Sequence, residues 1–178
     1  PVTPTPTTPS RANDVFPDCT PRNTAPSFGG TRFNNICAQV WAESNISEAR
    51  YDELLKLISD SWKEMEAFWE ERARGTVPDF IFCGTAACAN YYSGGMRNNV
   101  LNAGSPAVGS AWMPQRDTIL IATIDQDVAR VLVHEFMHVE VKARMNGELR
   151  SIPAWFNEGL SAYVSRAPNC DYRFENSI

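Results

Sequence analysis

Histidine is almost absent from this chain, with two in 178 residues. No apolar run approaches the roughly 18–20 residues of a membrane span, which excludes a membrane-crossing helix. Positive charge is also short: 16 Lys and Arg stand against 21 Asp and Glu, for a net charge of −5. With no basic run to offset that balance, a nucleic-acid partner is not expected. None of the five cysteines, Cys19, Cys37, Cys83, Cys88 and Cys170, has C-x-x-C spacing, which argues against a structural zinc knuckle. The chain has neither an initiator methionine nor a signal peptide, so a processed or truncated form is expected.

What is present suffices for one core. A 43% hydrophobic composition over 178 residues is one domain's worth. Pro1 to Ser10 is a Pro/Thr tract that cannot build a core and reads as an extended linker, leaving residues 11–178 as a single domain. Arg11 to Gly30, rich in Pro, Asn, Thr and Gly, is expected to lie irregularly over the surface. Phe33 to Ala42 suits strand or helix equally. Ser47 is a candidate cap for a long helix whose buried stripe would be Leu54, Leu55, Ile58, Trp62, Met65, Phe68 and Trp69, with Gly75 ending it. Such a stripe is core material, not a cofactor site. Asp79 to Cys83 reads as a strand and Tyr91 to Gly109 as a long loop. Val108 to Met113 and Asp117 to Thr123 form a strand pair around a Pro114–Arg116 turn. Thr123 with Gln126 makes a candidate capping box for the next helix.

Both histidines fall in that helix. Val133-His134-Glu135-Phe136-Met137-His138-Val139 has the form H-E-x-x-H, inside a helical apolar period of Val128, Val131, Leu132, Phe136 and Val139. Residues four apart lie one turn above each other on a helix face, so two imidazoles so placed can bind one tetrahedral Zn²⁺. Glu135 beside them can take a proton from a water that the metal has acidified. Without partners, two histidines and a carboxylate would be costly in such an apolar helix. A catalytic zinc needs a third protein ligand. Asn146-Gly147 offers a helix stop, after which Ser151 or Pro153 can open a second helix with Trp155, Leu160 and Val164 on its apolar side. Folded back, that helix would turn Glu158 toward the histidine pair.

His134, Glu135, His138 and Glu158 resemble the set that defines the gluzincin metallopeptidases, the class of thermolysin and the zinc aminopeptidases. Trp155-Phe156-Asn157-Glu158-Gly159-Leu160-Ser161-Ala162-Tyr163 is similar to the W-x-N-E-G-x-A-x-Y run of the aminopeptidase branch. Ile152-Pro153-Ala154-Trp155 resembles the I-P-x-W run of small bacterial peptidase-like domains. The resemblance spans Thr118 to Ser165. It implies His134, His138 and Glu158 as ligands of one zinc ion, Glu135 as general base, and a zincin-like α+β fold. That fold would be a small antiparallel or mixed sheet packed on a long helix and two active-site helices.

The departures carry information too. Where thermolysin-like enzymes have an aspartate one turn after the glutamate ligand, this chain has Ala162. Support for the ligands would then come from Asp125, Asp127 or a backbone carbonyl. Both histidines are spent on metal, so oxyanion stabilisation falls to a tyrosine or arginine: Tyr163, or in competition Tyr172 and Arg173. In the resembling family an edge strand before the H-E-x-x-H helix binds substrate; here it is expected at Gly109–Met113, with a peptide lying along Ala111, Trp112 and Met113. No Asp or Glu occurs between Asp79 and Asp117 to hold a substrate's free amine, which favours internal cleavage over N-terminal trimming.

The expected activity is therefore that of a monomeric zinc endopeptidase. The alternatives are a zinc-binding module that cleaves nothing, a zinc amidase acting on cell-wall material, and a precursor whose Arg11–Gly30 segment covers its own cleft. Cys83 with Cys88, and Cys19 with Cys37 or Cys170, would make two disulfides and imply an exported protein; five thiols in a cytoplasmic enzyme is the competing reading.

Overall fold

The computed structural model describes residues 15–16, 19–20, 32–85, 87–88, 110–113, 118–121, 127–148 and 152–166. The segment that suited strand or helix equally is a hairpin. Strand β1 (Phe33–Cys37) pairs antiparallel with β2 (Val40–Glu43) around a tight turn at Ala38 and Gln39. Ala38 takes the left-handed φ of 44° that the turn demands, and Asn35 braces it by donating from Nδ2 to the Ala38 carbonyl at 2.8 Å. Three more strands, β3 (Asp79–Phe82), β4 (Ser110–Met113) and β5 (Thr118–Ile121), complete a mixed sheet of order β1-β2-β3-β5-β4. The β2-β3 and β3-β5 pairings are parallel, and β4 runs antiparallel to β5, with Trp112 opposite Ile119. The central strands are apolar, as buried parallel strands must be: Val40, Ala42, Phe80, Phe82 and Ile119 are all fully buried.

Among the described residues three long helices accompany the sheet. Ser47 caps a short 3-10 turn, its hydroxyl accepting from the Ala49 N–H at 3.3 Å, and this leads into α1 (Tyr51–Trp69). The stripe from Leu54 through Met65 is buried as its spacing predicts, but its last two members differ. Phe68 is exposed, and half-buried Trp69 carries the Arg144 guanidinium 3.9 Å above its ring. Nor does Gly75 end the helix. Glu70 does, in a left-handed conformation (φ 54°). Gly75 serves close packing instead: a Cβ there would lie 2.9 Å from Val139 Cγ1.

Helix α2 (Val128–Arg144) carries the H-E-x-x-H residues, and α3 (Ala154–Ser165) follows it. Phe136 anchors α2, meeting Phe80 of the sheet at 5.8 Å and Trp62 of α1 at 5.0 Å, both edge-to-face. The cap of α2 is Asp127, whose side chain accepts from the Arg130 N–H and pairs with its guanidinium at 2.8 Å; Thr123 and Gln126 lie outside the described residues. Asn146 (φ 52°) and Gly147 (φ 89°) stop α2 as the sequence indicates. Pro153 stands at the cap position of α3, one residue earlier than a first-turn proline would. Trp155 is not on the packed side: it is 62% exposed. The packed face is made of Ser161, Ala162, Val164 and Ser165, and such small side chains let α3 lie close on α2, leaving no room there for an indole.

Arg11–Gly30 contributes more than a surface covering. Phe16 is buried in the core against Phe80, and Cys19 is disulfide-bonded to Cys37 of β1. A second disulfide joins Cys83 and Cys88. Tyr91–Gly109 and the Pro114–Arg116 turn lie outside the described residues, as does Cys170. Among the described residues no helix is long and apolar enough to cross a membrane.

Candidate metal centre

Helical spacing stacks His134 and His138 on one face of α2, their ring centroids 4.8 Å apart. The turn through Asn146 and Gly147 reverses the chain so that α3 packs against α2. Arg130 fastens the far ends of the two helices, donating from Nη1 to the Arg166 carbonyl at 3.0 Å. Glu158, one turn into α3, thereby reaches both imidazoles. Its Oε2 lies 3.3 Å from His134 Nε2 and 3.5 Å from His138 Nε2.

Those separations fit a metal. Ligand atoms about 2.0–2.1 Å from a tetrahedral zinc ion are about 3.3–3.4 Å from one another. The three donor atoms all lie within 4.8 Å of one another. Two imidazoles and one carboxylate are also a donor set that zinc accepts in catalytic sites. The burial is graded: the His138 side chain is 8% exposed, His134 22% and Glu158 34%. The cluster is thus walled on the His138 side and open on the other, which leaves access for a fourth ligand.

Electrostatics hold the cluster together without a metal. Burial pushes the His138 pKa down, but the Glu158 hydrogen bond, aided by the charges of Glu135 and Glu158, outweighs it, and the net shift is upward. Hydrogen bonds from His134 and His138 hold the Glu158 carboxyl well below the usual carboxylate range. Glu135 is itself buried in α2, close enough for its charge to act on His138. The Asn157 side chain approaches the same imidazole, and its Oδ1 is buried without meeting hydrogen-bond geometry with any described residue.

The support for the ligands differs from expectation. Asp127 is committed to capping α2 and to Arg130, and Asp125 lies outside the described residues. The contact on the far nitrogen of His138 comes from Ser161, whose Oγ is 3.2 Å from Nδ1. The signal was present in the sequence as a hydroxyl three residues after Glu158, on the face that Glu158 shares, next to the Ala162 position where an aspartate was missing. Tyr163 is not brought to the cluster. It lies five residues past Glu158, roughly 140° around the helix, and is 74% exposed. Tyr172 and Arg173 fall outside the described residues.

A second cluster, Glu43 with Cys83 and Cys88, also satisfies metal-ligand spacing, but its sulfurs are joined to each other. The Glu43 carboxylate is already satisfied by the Gly84 and Thr85 N–H groups and the Thr85 hydroxyl, at 2.8–2.9 Å. It is a brace for the loop after β3.

Compared with protein-family models, curated proteins and solved structures, the chain has no match.

Proposed function

We propose that this chain is a zinc-dependent endopeptidase with a zincin-like fold. The observation that carries the reading is the convergence of His134 Nε2, His138 Nε2 and Glu158 Oε2 from two adjacent helices, with a buried Glu135 beside them. A module that only stores or senses zinc has no use for that fourth residue, whose burial carries a cost.

His134, His138 and Glu158 would hold the ion, and Glu135 would be the catalytic acid–base group. Bound there, zinc supplies Lewis acidity and lowers the pKa of a coordinated water to about 7. Glu135 then accepts the proton of the attacking water and returns it to the departing amine nitrogen, so one carboxylate serves both halves of the hydrolysis. Its burial keeps competing water away from the proton in transit.

Strand β4 supports a peptide substrate. Among the described residues its neighbour in the sheet is β5 alone, so its other edge is available, and it packs against α2. An extended polypeptide adding to that edge would be held through backbone hydrogen bonds, with its scissile bond toward the histidine face. Exposed Trp155 and Phe156, within one turn before Glu158, offer apolar surface for a substrate side chain. Within the Arg11–Gly30 segment, Cys19 does not favour self-restraint, because its disulfide ties it to β1, at the opposite edge of the sheet from β4. The two disulfides suit an oxidising, extracytoplasmic setting.

The test is digestion of a peptide library by zinc-loaded protein, with product termini read by mass spectrometry. Internal cuts abolished by a chelator and restored by zinc are expected. An intact library, with zinc bound, would overturn the peptidase reading and leave the binding-module and cell-wall amidase readings.

A further inference from the structure

The contact between Ser161 and His138 does more than fill space. Both side chains are buried, so solvent does not satisfy them. Ser161 has one hydroxyl proton, and it is committed: Oγ donates to the Asn157 carbonyl one turn back, at 2.9 Å. A carbonyl can only accept, so in this arrangement Oγ turns a lone pair toward His138 Nδ1, 3.2 Å away. A ring nitrogen facing an acceptor must carry a proton. An imidazole that keeps its proton on Nδ1 leaves Nε2, the atom that faces Glu158 Oε2 at 3.5 Å, as the nitrogen a metal would take in place of that contact.

We infer that Ser161 is a positioning residue for the metal centre: it accepts a hydrogen bond from His138 Nδ1–H, donates its own hydroxyl hydrogen bond to the Asn157 carbonyl, and so fixes the tautomer and ring orientation that present Nε2 to zinc. The inference rests on the zinc-site reading and deepens it. The relay His138 Nδ1–H to Ser161 Oγ–H to Asn157 C=O ends on the α3 backbone, one residue before Glu158. One ligand on α2 is thereby oriented by the same helical turn that supplies the third ligand. Metal binding and the docking of α3 on α2 become a single event.

The experiment compares wild type, Ser161→Ala and Ser161→Cys, each confirmed folded by circular dichroism. Zinc affinity is measured by competition with a chromogenic chelator. Loss of such an outer partner weakens metal binding about 10–100-fold, and that is the loss expected for Ser161→Ala. Ser161→Cys leaves no cavity, unlike Ser161→Ala, but accepts poorly, so weakened binding in both variants separates loss of the hydrogen bond from loss of volume. In zinc-loaded wild type the His138 Nδ1 proton should appear in the proton NMR spectrum as a slowly exchanging downfield resonance, and it should broaden or vanish in both variants. Affinities unchanged from wild type in folded variants, with that resonance retained, would overturn the inference. Zinc binding without peptide cleavage by wild type would sink the peptidase proposal while leaving this one standing. Failure of wild type to bind zinc at all would remove both.

Discussion

His134 Nε2 and Glu158 Oε2 belong to different helices and lie 3.3 Å apart. No local propensity places them there. The approach depends on α2 being anchored by Phe136 between Phe80 and Trp62, on the reversal at Asn146 and Gly147, and on the small residues that let α3 close on α2. The candidate site is therefore a product of tertiary packing, and its disruption should be legible in metal binding before it is legible in activity.

Removing the carboxylate is the simplest such disruption. Glu158→Ala leaves two histidines to hold the ion, and zinc affinity should fall by more than the roughly 100-fold that loss of an outer partner can cost. Equilibrium dialysis against zinc, with elemental analysis of the protein fraction, measures it.

Glu135→Gln should separate binding from turnover. The amide keeps the shape but cannot accept a proton from water, so peptide hydrolysis should drop by about 10²–10⁴-fold. Zinc stoichiometry and affinity should stay as in wild type, as measured by the same dialysis and by initial rates on a fluorogenic peptide.

Acid–base behaviour gives a third outcome. In metal-free protein the raised His138 pKa contributes stability that is present below the ordinary value of 6.5 and is lost as pH rises through its folded value. The depressed Glu158 pKa contributes stability that is present above the ordinary 4.5 and is lost only as pH falls toward its folded value. The cluster thus stabilises the metal-free fold most between pH 4.5 and 6.5. Zinc needs deprotonated ligands, so its affinity rises with pH over the range where His138 loses its proton. The gap in melting temperature between zinc-loaded and metal-free protein should widen from pH 6 to pH 8; scanning calorimetry across that range reads it directly.

Much of this was legible in the residues, and what was not has physical causes. The H-E-x-x-H helix, the carboxylate on the next helix, the edge strand and the Cys83–Cys88 disulfide follow from spacing and from residue types with few uses. The β1–β2 hairpin was not, because Phe33 to Ala42 suits either period and only pairing with β3 decides it. The α1 stripe overran its burial because the chain turns left-handed at Glu70, a conformation glutamate does not advertise. Hydrophobicity alone points Trp155 inward, whereas close helix packing selects Ser161, Ala162 and Ser165. Ser161 is inconspicuous in the sequence for a related reason: serine in a helix has no distinctive spacing, and its role appears only once Asn157 O and His138 Nδ1 flank it.

Glu140 illustrates a structural role of the same helix. Fully buried two residues after His138, it accepts from the backbone N–H groups of Arg74 and Gly75 and pairs with Arg144 at 2.8 Å. Glu140→Ala strips two backbone N–H groups of their partner and takes one of two carboxylates from Arg144, which keeps Glu71, and should cost about 1–3 kcal/mol of folding stability. Urea denaturation of the metal-free protein measures the loss. Zinc stoichiometry in the folded fraction should be unaffected.

The claim on which the account stands is that one zinc ion sits between two imidazoles and a carboxylate. X-ray absorption at the zinc edge, on protein loaded with one equivalent, tests it most directly. The expected spectrum has a single shell of nitrogen and oxygen at about 2.0–2.1 Å with the multiple scattering of two histidines, and an oxygen contribution to that shell that changes in Glu158→Ala. A sulfur shell near 2.3 Å, a spectrum indistinguishable from aqueous zinc, or one that Glu158→Ala leaves unchanged would contradict it.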